Sequence, residues 1–351
     1  MKRVDNPKIG KDFILRMVEY AEHPQNQGIA VFQSKILPVD TRTRFAQTAG
    51  GVARLRLYIL ERTASRAGLM LSWGHNQLLR TEHVLAVSGF NESLTAEDTT
   101  LSLMLSAKGY SVRLVDVISY DTEPDDIFSY TRRTTRWAGQ TVEIFRLPWR
   151  GASIRLKLLL CYHLYSYLMH NVYFGLLLLT SWSFRADRPP LDGFIALLST
   201  DIGYFWPWMA VPFILTGLWA LQIALRMYLA RKAGVTIKDF IRHSLLSTAV
   251  MCFVALPVNI AMLRTVLGSR VQFTPTNIGE GRAVDFRSIA RHLWLPFLAG
   301  IVVSIGIATR NFYLLFSPNL FWLGLWLSSP LILWLFHRDQ RASVEENNHE
   351  L

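Results

Sequence analysis

The chain has 351 residues, a formal charge of +11 and an apolar fraction of 51%, with a mean hydropathy of +0.22. The charge does not point to nucleic acid, because the cations gather at the ends of apolar runs: Arg146, Arg150, Arg155 and Lys157 before the first, Arg226, Arg231 and Lys232 after the second. Both cysteines, Cys161 and Cys252, lie inside apolar runs, which argues against a disulfide framework or a zinc site.

In chain order, residues 12–22 space Phe13, Ile14, Met17 and Val18 as a helix, and residues 29–32 form a short β-like run after Gly28. Residues 41–66 predict a long basic helix, with Arg42, Arg44, Arg54, Arg56, Arg62 and Arg66 on a solvated or membrane-facing surface. Residues 94–110 predict a helix opened by Thr95 and closed by Gly109, turning Leu101, Met104 and Leu105 inward. Residues 110–117 alternate as a half-buried strand, and Asp125 or Asp126 caps a second helix running through Gly139. Alternating helices and strands imply an α/β layer.

Long apolar runs follow at residues 156–182, 202–225, 244–263, 293–308 and 312–336. Most approach the roughly 20 residues needed to cross hydrocarbon. The opening Met1-Lys2-Arg3 is followed by a polar stretch, so no secretory leader is expected. With the front in the cytoplasm, residues 185–192 fall outside and the basic stretch 226–243 inside. A full span at 244–263 would place Arg264, Arg270, Arg282, Arg287 and Arg291 outside. That run is therefore expected to be interfacial or re-entrant, broken at Pro257. The expectation is a multi-pass protein of the inner (plasma) membrane, in contact with its lipids, with four spans and a cytoplasmic soluble domain. The expected domains are residues 1–148, the membrane part 149–340 and a tail 341–351.

Three short features fall in order within the front: Gly74-His75-Asn76, Ala96-Glu97-Asp98 and Arg133-Thr134-Thr135-Arg136-Trp137. Thr95-Ala96-Glu97-Asp98 fits a capping box, in which a carboxylate only satisfies amides at a helix start. The alternative is a general base that takes a proton from a hydroxyl as its oxygen attacks an activated carbon. Arg133, Arg136, Trp137 and Gln140 recur at i, i+3, i+4 and i+7, so two guanidinium groups, an indole and an amide share a helix face. Such a face is either solvated or built to pair phosphate oxygens and lie against a sugar ring.

Taken together, Ser72-Trp73-Gly74-His75-Asn76, Thr95 to Asp98, Gly109-Tyr110, Glu123-Pro124, Arg133 to Trp137 and Glu143 to Arg146 resemble the membrane-integrated family 2 glycosyltransferases. That group contains the cellulose, chitin and hyaluronan synthases, and the periplasmic-glucan glucosyltransferase branch is the nearest. The resemblance covers about residues 5 to 150. It implies the C-terminal half of a GT-A α/β domain followed by an α-helical transmembrane bundle. It implies an inverting, divalent-metal-dependent hexosyltransferase, with UDP-glucose or UDP-N-acetylglucosamine as donor and a glycan or lipid as acceptor. By the same resemblance Asp98, beside Glu97, is the catalytic base. Arg133, Arg136 and Trp137 hold diphosphate and acceptor, although Arg133 stands where the family has Gln. Gly74, His75 and Asn76 border the acceptor. Phe273 and Thr276 match a gating segment that here lacks its Lys.

The family's Asp-x-Asp pair, which holds Mg²⁺ or Mn²⁺, is represented by Asp5 alone, with Arg3 at the first position. The resemblance thus implies that the donor-binding half lies upstream of Met1 or on a separate chain, or has been lost. Two other readings remain: a non-catalytic membrane subunit scaffolding or gating a partner synthase, and a transporter. The apolar runs carry almost no charge, and His163 and His170 within them are more often packed, which disfavours a transport path.

Overall fold

The computed structural model describes residues 12–39, 43–57, 61–145, 153–183, 223–232, 234–271, 284–310 and 319–338, together with 217, 220 and 221. The chain divides into two units, Met1–Tyr167 with Pro257–Arg282, and Leu168–Leu256 with Ala283–Leu351.

The first unit is built on a mixed three-stranded sheet. Strand β1 (Ile29–Pro38) lies between β2 (Gln77–Leu79), to which it is antiparallel, and β3 (Ser111–Asp121), to which it is parallel. A parallel pair needs a long crossover. Here the crossover carries α2 (Arg44–Arg56), α3 (Arg62–Arg66), β2, α4 (Thr81–Ala86) and α5 (Glu97–Ala107). Helix α1 (Phe13–Glu22) buries Met17 and Ala21 against Ile29, Phe32, Val115 and Val117. A second cluster packs Leu101 and Leu105 of α5 against Ala30, Val31 and Val112. The first six residues of β1 are buried, as expected of a strand covered on both faces.

Several elements run further than the sequence pattern suggests. β1 continues past Phe32 because Gln33 and Ser34, which end the apolar run, are buried with partners of their own. The Ser34 and Ser119 hydroxyls meet at 2.7 Å, tying β1 to β3. β2 has no counterpart among the expected elements, since three residues are too few to show a period. The basic stretch at 41–66 is not simply a solvated surface: α2 buries Phe45, Ala46, Thr48, Ala49 and Gly50, and Arg54 donates to the Pro38 carbonyl oxygen at 3.2 Å. Helix α6 (Ile127–Ile144) is capped by Asp126, whose Oδ1 accepts from the Phe128 and Ser129 amides, and it runs through Gly139 as far as Ile144.

Helix α7 (Ile154–Ser183) covers the first long apolar run. Helix α8 (Ile237–Val266) runs through Pro257 without the expected break. Proline removes one donor and crowds the preceding turn, yet long apolar helices tolerate it where neighbouring groups satisfy the freed carbonyl. Among the described residues α8 is by itself long and apolar enough to cross a bilayer. The pair α9 (Phe286–His292) and α10 (Trp294–Thr309), bent by 67°, passes the same criterion jointly. Helix α11 (Asn319–His337) covers the last run, while most of 202–225 lies outside the described residues. Within the second unit Leu177, Val303, Ile307 and Leu323 form a buried cluster. Gly306 lets the Trp182 indole approach closely enough to donate to the Val302 carbonyl oxygen at 3.1 Å.

Candidate active site

All three sequence features border one cavity of about 390 Å³ in the first unit or pack beside it. Its lining includes Trp73, His75, Asp98, Asp121, Arg133 and Trp137, and the near end of α7 closes it with Tyr162 and Tyr167.

The loop at 73–76 is fixed to the middle of the sheet. Gln33 accepts from the Trp73 amide at 3.0 Å and donates to the His75 carbonyl oxygen at 2.9 Å, while the Ser34 hydroxyl reaches the Asn76 carbonyl oxygen at 2.6 Å. Asn76 adopts a positive φ of 51° and Gly74 one of 80°. A Cβ at Gly74 would stand 2.7 Å from Asp98 Oδ2, so only glycine permits the loop and the carboxylate to meet. Gly74→Ala should lower the unfolding midpoint, with about 1–2 kcal/mol of left-handed strain, and displace the Asp98 carboxylate. Paired thermal melts and turnover assays check both effects.

Asp98 sits at the start of α5, but no capping box forms. The helix N-cap is Ala96, without a side-chain cap, and Thr95 turns away. Its hydroxyl donates to Glu143 Oε2 at 2.6 Å, and its amide to the same oxygen at 3.3 Å. Asp98 Oδ1 accepts from the adjacent Thr99 amide at 2.7 Å. Burial pushes the Asp98 carboxyl above the usual range, partly offset by that amide. Glu97 beside it is exposed.

Helix α6 supplies the basic and aromatic face. Arg133 is ion-paired with Glu123, and its guanidinium lies over the Tyr130 and Trp137 rings at 5.1 and 4.9 Å from their centroids. Trp137 remains 38% exposed, leaving its indole open to a ligand. Arg136 feels both acidic residues of α5: burial and the neighbouring Arg133 cation push it below its usual value, and Asp98 and Glu97 push it back. Gln140 donates to the Thr95 carbonyl oxygen at 2.8 Å, binding α6 to the loop before Asp98.

Glu143 carries more of the site than its place in the sequence indicates. It is 5% exposed, receives both Thr95 donors on one oxygen, and accepts the Val271 amide on the other at 3.1 Å. Gly139 makes room for Val271: a Cβ there would stand 2.7 Å from its side chain. Glu143→Ala would strand three donors and should cost about 2–3 kcal/mol, read as a lower denaturation midpoint. Glu123, quoted with Pro124 in the resemblance, pairs with Arg133, whereas Asp121 and Gln33 belong to no motif of the sequence. Gln33-Ser34 within an apolar β run was the available signal, since buried polar side chains require partners.

The model for glycosyl transferase family group 2 matches residues 9–228. The chain belongs to this glycosyltransferase family. No curated protein matches it. Membership implies glycosyl transfer from a nucleotide-sugar donor to an acceptor. The family chain's expected metal ligand, Asp5, and gating residues, Phe273 and Thr276, lie outside the described residues. Among the described residues no group of three or more His, Cys, Asp or Glu side chains is placed to hold a metal ion.

Proposed function

We propose that the chain forms the acceptor side of an inverting hexosyltransferase at the cytoplasmic face of the inner membrane, with UDP-glucose or UDP-N-acetylglucosamine as donor and a glycan or lipid as acceptor. The observation that carries this reading is the placement of Asp98: a carboxylate with one oxygen on the Thr99 amide and the other against Gly74, opening onto a cavity that Trp137 also lines. The apolar helix α8 supports a membrane setting.

In this mechanism the acceptor ring rests against Trp137 and presents a hydroxyl to Asp98. Asp98 takes the proton as the oxygen bonds to the anomeric carbon from the face opposite the leaving group. The bond to the diphosphate breaks, and its electron pair leaves on the diphosphate. Arg136, together with Arg133 in the cavity wall, offsets the charge that develops there. Gly74, His75 and Asn76 border the acceptor, and Gln33 and Ser34 hold them in place.

The test is transfer of radiolabelled sugar from each nucleotide donor by membranes carrying the full chain, with and without the product of the neighbouring reading frame. Label entering lipid or glycan, absent in Asp98→Asn membranes, supports the reading. No transfer under either condition, with the chain folded, favours a non-catalytic subunit.

A further inference from the structure

His75 is held at both ring nitrogens. Nδ1 lies 3.0 Å from the Trp73 carbonyl oxygen and Nε2 lies 3.2 Å from Asp121 Oδ2. A carbonyl and a carboxylate only accept hydrogen bonds, so this pair of partners favours the doubly protonated ring, and the Asp121 hydrogen bond raises His75 above the usual histidine value. The backbone on which the ring sits is anchored by Gln33 and Ser34. One residue before it, Gly74 touches the Asp98 carboxylate.

The other charges near these groups are largely committed. Arg133 pairs with Glu123, and Arg56 with Glu61. Asp98 is faced by Glu97 on its own helix, by Arg136 from α6 and by His75 from the loop; His75 is faced by Asp121 from β3 and by Asp98 from α5.

We propose that His75, locked as a cation by Asp121 and the Trp73 carbonyl, is a positioning residue whose fixed charge keeps Asp98 ionised and sets the acid edge of turnover. This rests on the reading of Asp98 as the base. A base must be a free carboxylate before it takes a proton, and burial alone works against that by raising Asp98. The hydrogen bond from Asp121 raises His75, and Asp98 adds to the rise. That coupling is mutual, so the imidazolium lowers Asp98 in return. His75 keeps both its protons throughout; the acceptor's proton goes to Asp98.

The test uses the full chain in lipid nanodiscs with aspartate labelled at its ¹³C carboxyl carbon. NMR follows the carboxyl titration, and the Asp98 signal is identified by its loss in Asp98→Asn. The Asp98 midpoint should move upward in His75→Gln, move less in Asp121→Asn, and return toward the parent in His75→Lys, which restores a cation without an imidazole. In transfer assays on His75→Gln, the ratio of turnover on the acid side to that on the alkaline side should fall about tenfold. A midpoint unmoved in His75→Gln, or a His75→Lys midpoint no lower than that of His75→Gln, overturns the inference even where Asp98→Asn is inactive. Transfer retained by Asp98→Asn overturns the role in turnover and the base reading together, whatever the titration shows.

Discussion

Asp98→Asn should reduce transfer by about 10²- to 10⁴-fold while unfolding at the same temperature as the parent chain or a higher one. The two halves of this result come from one environment. Burial disfavours the charged carboxylate, so its folded value lies above its unfolded one. Such a group contributes stability below its unfolded value and loses that contribution as pH rises through the folded value. At neutral pH the parent chain therefore carries a residual cost of burying this charge, which asparagine removes. Acidification through the same window should narrow the gap in melting temperature between the two chains. A helix cap behaves in the opposite way, since replacing a capping carboxylate weakens the helix. Differential scanning calorimetry beside a transfer assay separates the two. An Asp98→Asn chain that melts earlier and still transfers sugar would return this residue to an architectural role.

Arg136→Lys should lower kcat by about 10²-fold with a smaller change in the donor KM. Lysine keeps the charge but not the planar fork that can meet two diphosphate oxygens at once. Because Arg133 is already engaged by Glu123 and by the Trp137 ring, it cannot readily stand in. Steady-state kinetics with the donor varied gives the split. An unchanged kcat would mean that Arg136 does not meet the leaving group.

The parts of the fold visible in the sequence are those with a period or a punctuating residue. Helix α5 ends where Gly109 adopts a φ of +88°, and α6 begins where an aspartate caps it. The parts not visible depend on partners far along the chain. Nothing in the spacing of Thr95 and Asp98 reveals that Thr95 is taken by Glu143, 48 residues later, which dissolves the capping box. The helix face of Arg133, Arg136, Trp137 and Gln140 was readable from its spacing, but the division of labour within it was not. Glu123 occupies Arg133, and Gln140 serves the backbone of the base loop. Pro257 misled for a related reason, since an unfavourable local residue signals a break only where surrounding structure does not absorb it.

The two oxygens of Glu143 have a consequence for the order in which the molecule matures. One binds Thr95 and the other a backbone amide 128 residues further on. As the chain leaves the ribosome, the segment bearing Asp98 exists long before Val271 has been made. Until then Glu143 lacks one of its donors, and the loop leading to Asp98 is held from one side alone. The closure that completes this arrangement spans more than a third of the polypeptide and includes the long apolar helices. Synthesis of those helices thus precedes final alignment of Asp98, and a nascent chain halted before Val271 carries this loop with one of its anchors missing.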